Sequence, residues 1–353
     1  MTITNSTIQT HYIIGIGRSG TTLLSKLLNE HKSCLVTLET DFVIFFYQSF
    51  KNKVFFTKND FELVVEYFEV TIQLNPSIAP YFSKENLLND LIVARLTSFN
   101  ELIQFIYCRF NFLRKMFSDI LCIIDKKPSY SLHVSELLKI NPNAKFIYLV
   151  RDYRANLLSR KQSVELKSPN IAFNAYRWLF FNRKVQRYKM MYPGKILEIK
   201  YEDLVGNSVI VLNQILDFLS LSSCDEEKFY YRNCNYLNSA AGEIKTGFFE
   251  RSLKIKNDLS KPIFDDRVSA WKRELTEDEI FESEVICGSL GNQIGYQVSS
   301  KLLFCGIIRV RMFSFYKFVL AFYDYQKEFV LIRVNAKIKL KRLKSKFKLK
   351  ISS

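Results

Sequence analysis

The chain has 353 residues, 48% of them hydrophobic, with 31 Phe and 19 Tyr but only 11 Gly and 7 Pro. This composition excludes general disorder and a fibrous or loop-rich protein, and it supplies enough apolar side chain for a sizeable buried core. The net charge of +16 is uneven: residues 301–353 hold 14 Lys and Arg against two acidic residues, which leaves the first 300 nearly balanced.

The opening "MTITNSTIQTH" has neither a basic start nor an apolar run, so no secretory leader is expected. "YIIGI" (12–16) predicts a buried strand, and "TTLLSKLLNEH" (21–31) a helix with Leu23, Leu24, Leu27 and Leu28 on one face. Between them, Gly15 and Gly20 have the spacing of the nucleotide-binding loop G-x-x-x-x-G-K-[ST], with Thr21 in the place of the lysine. Gly15, Gly17 and Gly20 permit tight turns that aim backbone N–H groups inward, and the helix start adds its own donors and positive dipole end. Thr21 and Thr22 offer hydroxyls, and Arg18 a permanently charged planar donor. The result is a cradle for a 5′-phosphate. Without the lysine and an evident carboxylate for magnesium, ATP or GTP hydrolysis is not expected.

Residues 60–75 predict a helix with Asp60 as N-cap, and residues 84–117 one or two more. "FIYLV" (146–150) is a continuous apolar run of the kind found in buried parallel strands. Arg151 follows it directly and Ser159 lies eight residues on, so both can face one ligand at the carboxyl edge of a sheet. "KILEIKYEDLV" (195–205) predicts a third strand running into a loop. Two late helices follow, the second opening on a capping box of Thr276 and Glu279. Alternating strands and helices imply an α/β fold: a central parallel sheet flanked by helices on both faces, P-loop nucleotide-binding-like, with a basic C-terminal extension.

The one compositional break, near residue 300, divides a domain of residues 1–300 from a basic, aromatic-rich extension of residues 301–353. Its most apolar window, 302–322, is interrupted by Arg309, Arg311 and Lys317, so no spanning helix is expected. A solvated charge run and a peripheral contact with an anionic membrane surface both fit the extension. Nucleic-acid binding is not expected, because no recognition module accompanies the charge. Seven scattered cysteines without a C-x-x-C pair point to reduced thiols in a cytoplasmic protein and to no metal site.

"IGIGRSGTTLL" resembles the 5′-phosphosulfate loop of sulfotransferases that use 3′-phosphoadenosine 5′-phosphosulfate (PAPS), and "LVRDYRANLLS" resembles their 3′-phosphate motif. "YEDLV" at 201–205 and the late "VSAWKREL" add to the resemblance, which covers roughly residues 11–297. It implies that Gly17, Arg18, Ser19, Gly20, Thr21, Thr22, Arg151, Ser159 and Tyr201 bind the cofactor. The spacing is similar to the branch holding tyrosylprotein and bacterial carbohydrate-type enzymes, which implies three catalytic groups. Glu39 in "VTLETDF" is the base for the acceptor hydroxyl, while Lys126 in "DKKPSYS" and Ser269 in "RVSAW" stabilise charge on the transferring group. Lys127 competes for the role of Lys126.

The paired cysteines of the secreted tyrosylprotein enzymes are replaced by residues such as Val36 and Ile124, so protein-tyrosine specificity is not carried over. The K-x-x-H setting of cytosolic sulfotransferases is missing, and His11, His31 and His133 read as structural or solvated. Ser163 stands where some relatives have a further basic contact, and Lys245, Arg251, Lys254 or Lys256 could cover the cofactor. The resemblance therefore implies metal-free sulfuryl transfer from PAPS to a hydroxyl acceptor, a glycan or glycolipid of carbohydrate or cell-envelope type. The cysteines and the basic extension, not the resemblance, lead to the expectation of a cytoplasmic protein with an option of contact at the inner face of a membrane. A non-catalytic nucleotide-binding scaffold and a divergent P-loop kinase are the competing readings.

Overall fold

The structure is a computed structural model that describes residues 8–37, 39–74, 82–109, 120–163, 170–223, 266–299 and 310–319. Five strands form one wholly parallel sheet in the order β2-β3-β1-β4-β5. They are β1 (Gln9–Gly15), β2 (Cys34–Val36), β3 (Cys122–Lys126), β4 (Phe146–Val150) and β5 (Ile196–Lys200). The helices between them are α1 (Thr21–Asn29), α2 (Phe42–Phe50), α3 (Lys58–Leu74), α4 (Lys84–Val93), α5 (Phe99–Arg109), α6 (Val134–Ile140), α7 (Tyr153–Lys161) and α8 (Ile171–Met191). After β5 come α9 (Tyr201–Gly206), α10 (Ser208–Phe218), two short turns at Asp266–Ser269 and Trp271–Glu274, and α11 (Glu277–Ile294).

Period-2 alternation decides which core each strand residue enters. On β1, Ile13 packs with Leu24, Leu27 and Leu28 of α1 and Ile215 of α10. Its neighbours Tyr12 and Ile14 join the larger core on the other face, with Phe42, Phe46 and Phe68 from α2 and α3 and Trp178 from α8. Both faces are covered, as an all-parallel sheet requires. Cys34, Cys108, Cys122 and Cys287 are buried thiols within these layers.

The expected capping box is present: Thr276 Oγ1 accepts the Glu279 N–H at 3.2 Å and Glu279 accepts the Thr276 N–H at 3.0 Å. Two expectations need correction. Helix α3 starts at Lys58, so Asp60 lies in its first turn instead of capping it. The cap is Thr57, whose hydroxyl accepts the Asp60 N–H at 3.3 Å while its own N–H reaches the Asp60 carboxylate at 2.8 Å. "YEDLV" is not a loop: β5 passes straight into α9, whose first turn carries Glu202 and Asp203, the charges a helix start favours.

Of the extension, residues 310–319 form a helix, α12, docked on α8 and α11. Phe318 stacks on Phe173 with centroids 5.9 Å apart, Ser314 donates to Glu282, and Arg311 Nε donates to the Val285 carbonyl at 3.3 Å. No helix among the described residues is long and apolar enough to cross a membrane.

Candidate functional site

Because the sheet is wholly parallel, the carboxyl ends of all five strands open on one edge, and each strand delivers a sequence-predicted residue there. The glycine loop follows β1, Glu39 follows β2, Lys126 ends β3, Arg151 follows β4 and Tyr201 follows β5.

The loop is held from beneath and from the side. Ser131 Oγ accepts the Gly15 N–H at 2.8 Å, and Asn156 Nδ2 donates to the Gly17 carbonyl at 3.2 Å. Gly20 has φ 94°, and a Cβ there would lie 2.4 Å from the Tyr201 ring, so only glycine fits between loop and ring. Arg18 also has positive φ (75°), a costly conformation for a side-chain-bearing residue. That turn sends its Nε to Ser159 Oγ at 3.1 Å and offers its carbonyl to Arg151 at 3.3 Å. The two motifs, far apart in sequence, therefore meet through Arg18, which supplies a cation beside Ser159 where Ser163 has none.

Arg151 is buried, stacked 4.3 Å over the Tyr201 ring, and donates to the Arg267 carbonyl at 2.7 Å. Burial pulls its pKa down, opposed by Tyr201 and Glu202. Its Nε and the Ser19 hydroxyl are buried with no hydrogen-bond partner among the described residues. Donors left unsatisfied in a cradle of this kind match an anion with several acceptor oxygens, so the residues present fit a nucleotide carrying phosphates at both ends.

On the β2–β3 side, Glu39 Oε2 lies 2.6 Å from Lys126 Nζ, and Lys127 Nζ lies 3.7 Å from Glu39 and 3.1 Å from Asp41. The Glu39 side chain is 40% exposed and that of Lys126 11%, so the carboxylate is partly open to solvent while the ammonium is sheltered. Burial pushes the Glu39 carboxyl up, but Lys126 and Lys127 outweigh it and hold the group below the usual carboxylate range. Glu39 is thus held as a carboxylate beside two cations.

Sequence reasoning missed what sets this pair. Asp125, fully buried one residue before Lys126, accepts from Thr37 Oγ1 at 3.1 Å and from the Tyr107 hydroxyl at 2.5 Å. It ties the chain entering Glu39 to the strand carrying Lys126, and burial raises its carboxyl to about 6. The clue in the sequence was a lone acid inside the apolar run "LCIIDKK". Ser269 lies on the Arg151 side, two residues past Arg267, and no hydrogen bond among the described residues ties it to Glu39 or Lys126. Lys245, Arg251, Lys254 and Lys256 lie outside the described residues. Two of the histidines are structural: His11 accepts the Lys145 N–H at 3.1 Å and burial lowers its pKa to about 4, while buried His31 holds the Ser33 N–H at 3.3 Å. His133 sits 3.7 Å from Glu136.

A family model described as "Sulfotransferase family" matches residues 12–226. An uncharacterized protein of Aquifex aeolicus is 23% identical over 81% of this chain, and a putative protein-tyrosine sulfotransferase of Caenorhabditis briggsae is 23% identical over 50% of it. The match spans 36% of the first relative's length and 61% of the second's. Among solved structures, the sulfotransferase domain of the Synechococcus PCC 7002 olefin synthase is similar with a TM-score of 0.48 and 21% identity, covering 78% of this chain and 93% of that one.

Proposed function

The chain belongs to the sulfotransferase family, and from that premise we propose that it moves the sulfuryl group of PAPS to a hydroxyl of a glycan or glycolipid acceptor. The observation that supports this most is the joining of the two motifs: Arg18 bonded to Ser159, with Arg151 on the Arg18 carbonyl. In this reading the loop N–H groups, Ser19, Thr21 and Thr22 hold the 5′ end of the donor, and Arg151, Ser159 and Arg18 hold its 3′-phosphate. Tyr201 closes the floor between them. The donor supplies an activated sulfuryl group on a phosphate leaving group. Glu39 takes the proton of the acceptor hydroxyl, and Lys126 offers positive charge to the oxygen where negative charge grows, with Ser269 assisting from the Arg151 side. The glycan acceptor rests on the resemblance to carbohydrate-type enzymes. Contact with an anionic membrane through residues 301–353 rests on their charge.

Calorimetry with 3′-phosphoadenosine 5′-phosphate (PAP) beside ATP tests the donor: tight binding of PAP is expected, and binding of ATP alone would overturn the reading in favour of a kinase-like site. Arg151→Ala should weaken PAP binding by roughly 10- to 100-fold, the value of one charge-assisted contact. Unchanged affinity would place the 3′-phosphate elsewhere. Transfer of labelled sulfuryl groups to a panel of polysaccharides and glycolipids should survive EDTA; loss on chelation with recovery on adding magnesium would contradict metal-free transfer.

A further inference from the structure

Helix α12 is amphipathic in an unusual direction. Ser314, Lys317 and Phe318 face α8 and α11, and exposed Arg311 reaches α11 through its Nε, whereas Met312, Phe313, Tyr316 and Val319, with Phe315 at the Tyr176 edge, are between 47 and 72% exposed. The outward face thus carries apolar side chains, and its two cations, exposed Arg311 and part-exposed Lys317, stand at its edges with their side chains bonded to α11. This surface continues along α8. Phe173 and Tyr176 receive the rings of α12, and at helical spacing beyond them Phe180, Arg183, Arg187, Met190 and Met191 are exposed on the same face. Across its 21 residues α8 holds five Lys and Arg and no Asp or Glu.

Apolar side chains exposed together mark a contact surface. Aromatic and thioether side chains interleaved with arginines, with no carboxylate on either helix, have the chemistry of the headgroup layer of an anionic bilayer. A second copy of the chain is a poor occupant, since a two-fold contact would press two α8 stripes together that both carry cations and no carboxylate. We propose that the outer side of α12 and the exposed stripe of α8 together form a membrane-docking face, with Met312, Tyr316 and Phe180 entering the headgroup region and Arg183 and Arg187 among lipid phosphates. This rests on the membrane reading of residues 301–353 and extends it from the charge of the tail to a folded surface of the domain; sulfuryl transfer is no part of it.

Flotation of the full-length protein with vesicles of phosphatidylcholine, with and without phosphatidylglycerol, tests it. At low salt the protein should float with the anionic vesicles only. Met312→Ser with Tyr316→Ser should weaken binding about tenfold or more, through lost apolar insertion. Arg183→Gln with Arg187→Gln should weaken it about tenfold or more, through lost attraction to lipid charge. Lys344→Gln with Lys346→Gln and Lys348→Gln tests the tail alone. The proposal is overturned if the wild-type protein stays at the bottom of the gradient, or if only the tail variant loses binding. It is equally overturned if light scattering finds a dimer that the Met312/Tyr316 variant converts to monomer while vesicle binding is unchanged. Thermal unfolding checks that each variant folds, and PAP binding is measured separately, so this proposal and the sulfuryl-transfer reading fail separately.

Discussion

Glu39→Gln should cut turnover by about 10²–10⁴-fold and leave PAP affinity nearly unchanged, because the amide keeps the shape of the side chain and removes its basicity. Glu39 stands 2.6 Å from Lys126 Nζ, on the β2–β3 side of the site, away from the Arg18–Arg151–Ser159 cluster that would hold the nucleotide. The pair also dictates pH behaviour. Burial opposes ionisation, yet Lys126 and Lys127 prevail and keep the carboxyl below its ordinary 4.5, so Glu39 stays ionised into acid and, with Glu39 as the proposed base, the wild-type rate should fall only below that value. Removing the first of those cations with Lys126→Met should lower turnover and also move the acid limb of the pH–rate profile upward. A depressed carboxyl of this kind stabilises the fold above its unfolded pKa, and that contribution disappears as pH falls through the folded value. Single-turnover kinetics with saturating acceptor separate these effects from binding. Full activity in Glu39→Gln would mean that the base lies elsewhere. A loss in Lys127→Met with none in Lys126→Met would transfer the charge-stabilising role to Lys127.

The second large effect concerns stability. Arg154 donates to Asp152 at 2.7 Å and to Glu284 at 2.8 Å, all three buried, with its guanidinium 4.0 Å over the Trp271 ring. The cluster joins α7 to α11 and to the short turn at Trp271–Glu274, and so holds the Arg151 loop against the late helices. Arg154→Met would strand two carboxylates in a dry interior, at a cost of about 3–5 kcal/mol, a large fraction of the roughly 5–15 kcal/mol that keeps a domain folded. The stranded acids would have raised pKa values. The folded variant would take up protons that the unfolded chain does not, and it should regain stability as pH falls from neutral to mildly acid. Glu284→Gln should cost less, since Arg154 keeps Asp152 and the amide can still accept from Ser299. Urea unfolding at the two pH values reads both. An unchanged midpoint in Arg154→Met would show that the cation is dispensable to the fold.

Local chemistry made part of this protein legible from its sequence alone. The strand–loop–helix units around Gly15–Thr22 and Val150–Ser159 follow from short apolar runs, glycine spacing and helix-start residues, all of which act within about ten positions of the chain. The capping box at Thr276 was readable for the same reason. What resisted reading was non-local. Strand β2 has three residues and β3 contains Asp125, so neither pattern announces a buried strand. The register of Cys34 against Cys122 brings Glu39 beside Lys126 across 87 positions. The packing of α7 against the glycine loop joins Arg18 to Ser159 across 141. In "RDYR" the sequence pointed to Arg151 as an anion ligand, but only the tertiary structure revealed that Asp152 and Arg154 turn away to clamp α11. Periodicity tells a segment which of its faces must be buried, whereas the partner that buries it is chosen by the whole core at once, and that choice decided which charges meet at the edge of the sheet.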